Sequence, residues 1–184
     1  PQLGSHCLVE AIHLPAQMGE IDRWHATRIA AGVPEGSVDL TPERALMLEA
    51  GLDRLGAVDF EKGCYVGQEV TARTHYRGLV KRRLVPLTIA GDPPVIDSDI
   101  TWQDTVIGKS KTAAALTVPI AGEHEPTDTK SICLALLKLS DIHNILDAPA
   151  DGDGPTTDGL MINGHAAVLA LPDWMQPLPR RAKT

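Results

Sequence analysis

Apolar and polar residues alternate with two different textures along this chain. From Glu20 to Ala31, the residues Ile21, Trp24, Arg28 and Ile29 recur about one helical turn apart, which predicts a helix. Gly32 follows where a helix end needs a residue tolerant of positive φ, and Pro34 prevents continuation. Thr41-Pro42-Glu43 has the order of an N-cap followed by proline in the first turn, and predicts a short helix or turn over 43–50, ended by Gly51. Gln68, Glu69, Ala72 and Arg73 are good helix formers, so a further helix is expected within 65–76, after a glycine turn. Residues 7–14 form a short apolar run stopped by Pro15 and read as a strand. Beyond Lys81 the texture shortens. Runs at 83–89, 105–108, 113–120, 131–139 and 160–169 predict strands, separated by turn clusters such as Gly91-Asp92-Pro93-Pro94 and 150–155. Short strands at this spacing argue for a small antiparallel barrel or sandwich, with a boundary near residues 80–90.

Length and composition narrow the picture. A chain of 184 residues allows one domain or two small ones, and an apolar share of 43% is enough for a buried core. No apolar run approaches the roughly 20 residues of a membrane-spanning helix, and no secretory leader is read. The chain opens on Pro1, which reads as the start of a fragment or a processed product. The three cysteines, Cys7, Cys64 and Cys133, include no C-x-x-C pair and argue for free thiols in a reducing compartment.

The net charge of −7 is unevenly spread. Residues 62–83 carry six basic and one acidic side chain, while the flanking stretches 1–61 and 84–179 are strongly acidic. An acidic protein is not a general nucleic-acid binder, but a local basic strip can still hold an anion. Arg73, Arg77, Lys81, Arg82 and Arg83 form that strip. It reads as a site for a phosphate, a polyglutamyl tail or an RNA backbone, or as a solvated face.

The densest chemistry lies at the head of the strip, in Lys62-Gly63-Cys64-Tyr65-Val66-Gly67-Gln68-Glu69. A cysteine between glycines sits on a backbone that can turn tightly and expose its sulfur. Lys62 and Arg73 nearby would favour the thiolate, the reactive and metal-binding form. The alternative is a cysteine buried in a glycine-stabilised turn. Phe60, Tyr65 and Tyr76 flank the segment and could stack on a flat heterocycle or fill a small core; Trp24 carries the same ambiguity. Cys7 and Cys133 lie in apolar runs and read as core. The seven histidines lack metal-ligand spacing, and Asp151-Gly-Asp-Gly154 lacks the acidic twelfth position of a calcium loop, so it reads as a turn.

The run 62–69 resembles the K-G-C-Y-x-G-Q-E signature of the YgfZ family, folate-binding proteins related to the T-protein (aminomethyltransferase) of the glycine cleavage system. Arg28-Ile-Ala-Ala-Gly-Val-Pro34, Leu48-Glu-Ala-Gly-Leu-Asp53 and Leu171-Pro-Asp-Trp-Met-Gln176 resemble further stretches of that family. The resemblance implies an α+β fold. Residues 1–82 would be the C-terminal part of a folate-binding, T-protein-like domain, and residues 83–184 an antiparallel β-barrel. It implies tetrahydrofolate or a derivative as cofactor, iron–sulfur client proteins as partners, and no membrane or direct nucleic-acid partner. The implied role is maturation or repair of iron–sulfur enzymes, linked to tRNA modification, in the bacterial cytoplasm. Cys64 would be the functional thiol with Lys62 beside it. Trp24, Glu49, Tyr65, Gln68, Arg73 and Arg77 are the candidate folate contacts. The alternative is a tetrahydrofolate-dependent aminomethyltransferase of the T-protein type, whose catalytic aspartate would lie upstream of Pro1.

Overall fold

The computed structural model describes residues 21–64, 66–116, 130–148 and 159–179. Helix α1 (Ile21–Ala30) and the single turn α2 (Gly36–Asp39) precede α3 (Gln68–Tyr76). Six strands follow: β1 (Arg82–Ile89), β2 (Asp99–Trp102), β3 (Thr105–Ala115), β4 (Ser131–Lys138), β5 (Leu160–Ile162) and β6 (His165–Leu169). Helix α4 (Leu139–Asp147) follows β4 directly, and a 3-10 turn over Asp173–Met175 comes last. The strands close into an antiparallel barrel in the order β1-β4-β3-β2-β5-β6, with β6 returning to β1.

The longest seam, β1 with β4, runs from Arg82 opposite Lys138 to Ile89 opposite Ser131. Val85, Leu87, Cys133, Ala135 and Leu137 point into the barrel core, where Ile100, Leu160 and Ile162 join them. The alternate residues Leu84, Ile132 and Leu134 point outward, but they are buried too, under Ile29 of α1. With both faces covered, these strands read as continuous apolar runs without the alternation of a half-exposed sheet. Leu139, Ile142 and Ile145 bury one face of α4 against the same core.

Several expectations need correction. Of the two forms expected over 43–50, a short helix or a turn, the chain adopts the turn; Glu43 sits at φ 61°, outside the helical region despite the proline before it. The separate strands expected at 105–108 and 113–120 are one strand, β3, whose register shifts between Ser110 and Ala113. Leu139 ends no strand but starts α4. The run 160–169 is a hairpin, β5 and β6, turning at Asn163 and Gly164 with φ of 50° and 81°. Strand β2 was not anticipated; it turns into β3 through Gln103 and Asp104, both at positive φ without a glycine to signal it. The strand expected at 7–14, Cys7 and the turn at Asp151 lie outside the described residues.

The bulge in β3 has a structural use. It turns Thr112 toward Asp39, whose Oδ1 accepts both the Thr112 backbone N–H (2.8 Å) and its hydroxyl (2.5 Å). Asp39 Oδ2 accepts from the Arg28 guanidinium and from the Glu35 backbone N–H, each at 2.8 Å. One buried carboxylate thus ties α1, α2 and β3 together.

Candidate functional site

The signature segment is a loop clipped at both ends. Asp59 Oδ1 accepts the backbone N–H of Glu61 (2.8 Å) and of Lys62 (3.3 Å), a side-chain-closed turn. Phe60 stacks on His75 in the last turn of α3, with ring centroids 3.8 Å apart, and Tyr76 meets both rings edge-on. Gly67, at φ 85°, precedes the first residue of α3. Between these clips, Lys62, Cys64 and Val66 are exposed and Gln68 is half-buried. Tyr65 lies outside the described residues.

The two described cysteines contrast. Cys133 is buried between strands, and burial pushes its thiol up from 9.0 to about 12. Cys64 stands in solvent. Among the described residues no three histidine, cysteine or acidic side chains converge as a metal site.

Arg73, Arg77, Lys81 and Arg82 are exposed, and Arg77, which caps the C-terminus of α3, lies one turn after Arg73. Arg83 departs from the strip. Sharing the inward parity of Val85 and Leu87, it is only 1% exposed and donates to the Leu48 carbonyl at 2.8 Å. Burial lowers its pKa, partly offset by the Asp53 carboxylate 3.9 Å away. It is a structural strut, not an anion contact.

Glu49 is buried, and its two oxygens accept from Arg82 Nε (3.1 Å) and an Arg82 terminal nitrogen (3.0 Å). The Glu49 carbonyl accepts the Leu84 N–H at 2.8 Å, so this residue fastens the segment before α3 to β1. Beside it lies a cavity of about 560 Å³ between residues 39–50 and the outer face of β1, β3 and β4, lined by Glu49, Arg82, Leu84, Lys111 and Lys138 among others. Trp24, half-buried on α1, does not line this cavity, nor do Gln68, Arg73 or Arg77. Of the described residues expected to contact folate, Glu49 alone lines this cavity. The lysines on its wall were missed in the sequence, because β3 and β4 bring them together from positions far apart in the chain.

The three outlying family-like stretches do converge. Trp174 donates its indole N–H to the Ala31 carbonyl at 2.7 Å. Its ring lies over Gly51, where a Cβ would come within 3.0 Å of both the indole and the Arg83 guanidinium. Arg54 donates to the carbonyls of Met175 (2.9 Å) and Pro177 (2.6 Å). Residues near 31, 51 and 174 thus form one joint.

The chain is similar to mitochondrial iron–sulfur cluster assembly factors. The factor IBA57 of mouse is 46% identical over 78 residues, covering 42% of this chain and 22% of the mouse protein. The human factor is 44% identical over 94 residues, covering 51% and 26%. The IBA57 homolog of Mycosarcoma maydis is 33% identical over 200 residues, covering 92% of this chain and 50% of that protein. The chain spans half or less of the length of these relatives. No family model matches it.

These similarities overturn one expectation. The relatives are mitochondrial proteins of eukaryotes, so the bacterial cytoplasmic placement is withdrawn. The signature had suggested it because the same motif serves a family found in bacteria and in mitochondria, and so carries no information on compartment. No helix among the described residues is long and apolar enough to cross a membrane.

Proposed function

We propose that this chain serves in the assembly of iron–sulfur proteins, with Cys64 as the working thiol. The observation that carries the reading is the exposure of Cys64 on a loop closed by the Asp59 turn and the Phe60–His75 stack. The names of the relatives point the same way.

An iron–sulfur cluster normally takes four protein ligands. A single thiol with no companion donors among the described residues suits a cluster that is cargo, held together with the ligands of a partner or in passing. Clients would be iron–sulfur enzymes, those that modify tRNA among them.

Folate is the cofactor this reading carries from the family resemblance. Arg73 and Arg77, exposed and one turn apart, suit its carboxylates, and the half-buried indole of Trp24 offers a stacking face. Gln68 and Tyr65 would act from the signature loop. Glu49 fits a pterin less well, because both its oxygens already accept from Arg82. When bound, the folate would supply one-carbon or redox chemistry; the residues of this chain would hold it and present the thiol.

The test is a pair of measurements on Cys64→Ser. Tetrahydrofolate binding should persist, while support of iron–sulfur enzymes in cells lacking the native protein should be lost. Full support by the serine variant would refute the role of the thiol. Absence of tetrahydrofolate binding by the unaltered protein would refute the cofactor alone.

A further inference from the structure

The cavity beside Glu49 has an unusual charge balance. Its three acidic wall residues are all engaged internally: Asp39 by Arg28 (2.8 Å), Glu49 by Arg82 (3.0 Å) and Asp97 by Lys111 (2.8 Å). Of the remaining basic wall residues, Lys109 pairs with Asp99 at 2.6 Å. Arg44 and Lys138 line the same cavity and have no ion-pair partner among the described residues.

A second observation points the same way. Lys138 stands directly opposite Arg82 in the β1–β4 ladder. Like charges directly opposite each other in an antiparallel pair are destabilising. Arg82 is compensated by Glu49, whereas Lys138 is left facing the cavity uncompensated. Leu84 and Leu136 add apolar surface to the same wall.

We infer that this cavity is a binding site for a small organic dianion with an apolar body, its negative headgroup held by Arg44 and Lys138 and its body against Leu84 and Leu136. The site shares its wall residue Glu49 with the expected folate contacts, but it uses neither Trp24, Arg73 nor Arg77. A volume of about 560 Å³ falls within the usual range of small-molecule pockets.

Calorimetric titration of the chain with two probes tests this: 1-naphthyl phosphate, a phosphate ester on an aryl body, and phenylsuccinate, a dicarboxylate on one. Binding of either is expected, and which one binds identifies the headgroup. Inorganic phosphate, which lacks the body, should bind at least roughly tenfold more weakly, the effect of about 1.4 kcal/mol of lost contact. Arg44→Gln and Lys138→Gln, both at exposed positions, should each weaken the bound probe by a similar factor. Lys81→Gln, an exposed cation outside the cavity, should leave it unchanged. Failure of both probes to bind, an unchanged affinity in Arg44→Gln and Lys138→Gln, or an equal loss in Lys81→Gln would overturn the proposal.

Discussion

The indole N–H of Trp174 donates to the carbonyl of Ala31 across 143 residues of sequence, at 2.7 Å. That bond closes the joint between the 28–34, 48–53 and 171–176 stretches. Trp174→Phe keeps most of the ring and loses the hydrogen bond, and should cost about 1 kcal/mol. Trp174→Ala also opens a cavity beside Gly32 and Gly51, and should cost about 3 kcal/mol. Urea denaturation of the two variants checks the order.

Gly51 and Gly56 offer a controlled comparison in the same stretch. Both have positive φ, 77° and 75°. A Cβ at Gly51 would meet Trp174 and Arg83 at 3.0 Å, whereas one at Gly56 meets nothing within 4 Å. Gly56→Ala should carry only the left-handed penalty of roughly 1–2 kcal/mol. Gly51→Ala should cost clearly more, the excess measuring the crowding in the joint. Equal midpoints in denaturant would show that the ring and the guanidinium simply move aside.

Asp39 collects four hydrogen bonds and an ion pair with Arg28, which is itself only 2% exposed. Removing the carboxylate in Asp39→Ala leaves a buried guanidinium with Glu35 as its remaining acidic partner. The expected cost is about 3 kcal/mol, near the low end for breaking a buried pair, because Glu35 still compensates. Thr112→Val, which loses only the hydroxyl contact, should cost about 1 kcal/mol.

Much of this scaffold can be read in the sequence, and what cannot has physical reasons. Helix α1 announces itself through its period and through Gly32, which sits at φ 70° after the helix. Strands β1 and β4 show as apolar runs because both their faces are covered. Helix α4 is the instructive miss: Leu139, Ile142 and Ile145 have helical spacing, but they continue the apolar run of β4 without a break, so run length alone reads as strand. The exposure of Cys64 was left open, since a glycine-flanked cysteine suits an open loop and a buried turn equally. Its outcome depends on the Phe60–His75 stack, a contact across fifteen residues. Arg83 was misread because a run of basic residues hides the strand alternation that turns every second one inward.

Burial should show in the pH response of Cys133 and in the access of the two thiols. Folded Cys133 holds its proton to about pH 12, while the unfolded thiol releases it near 9.0. Between those values the unfolded chain binds fewer protons, so this group's contribution to stability is complete below pH 9 and is lost as pH rises toward 12. Denaturant midpoints measured at pH 8 and pH 10.5 should show a decline that Cys133→Ala reduces. At pH 8, iodoacetamide followed by peptide mass mapping should label Cys64 readily and leave Cys133 untouched until the fold is opened.

The most direct test of the central claim is the cluster content of a [4Fe–4S] enzyme in cells lacking the native protein. Re-expression of the unaltered protein should restore its iron–sulfur absorbance and activity, and Cys133→Ala should restore both nearly as well. Cys64→Ser, at equal abundance and with an unchanged denaturant midpoint, should restore neither. Full restoration by Cys64→Ser would contradict the account.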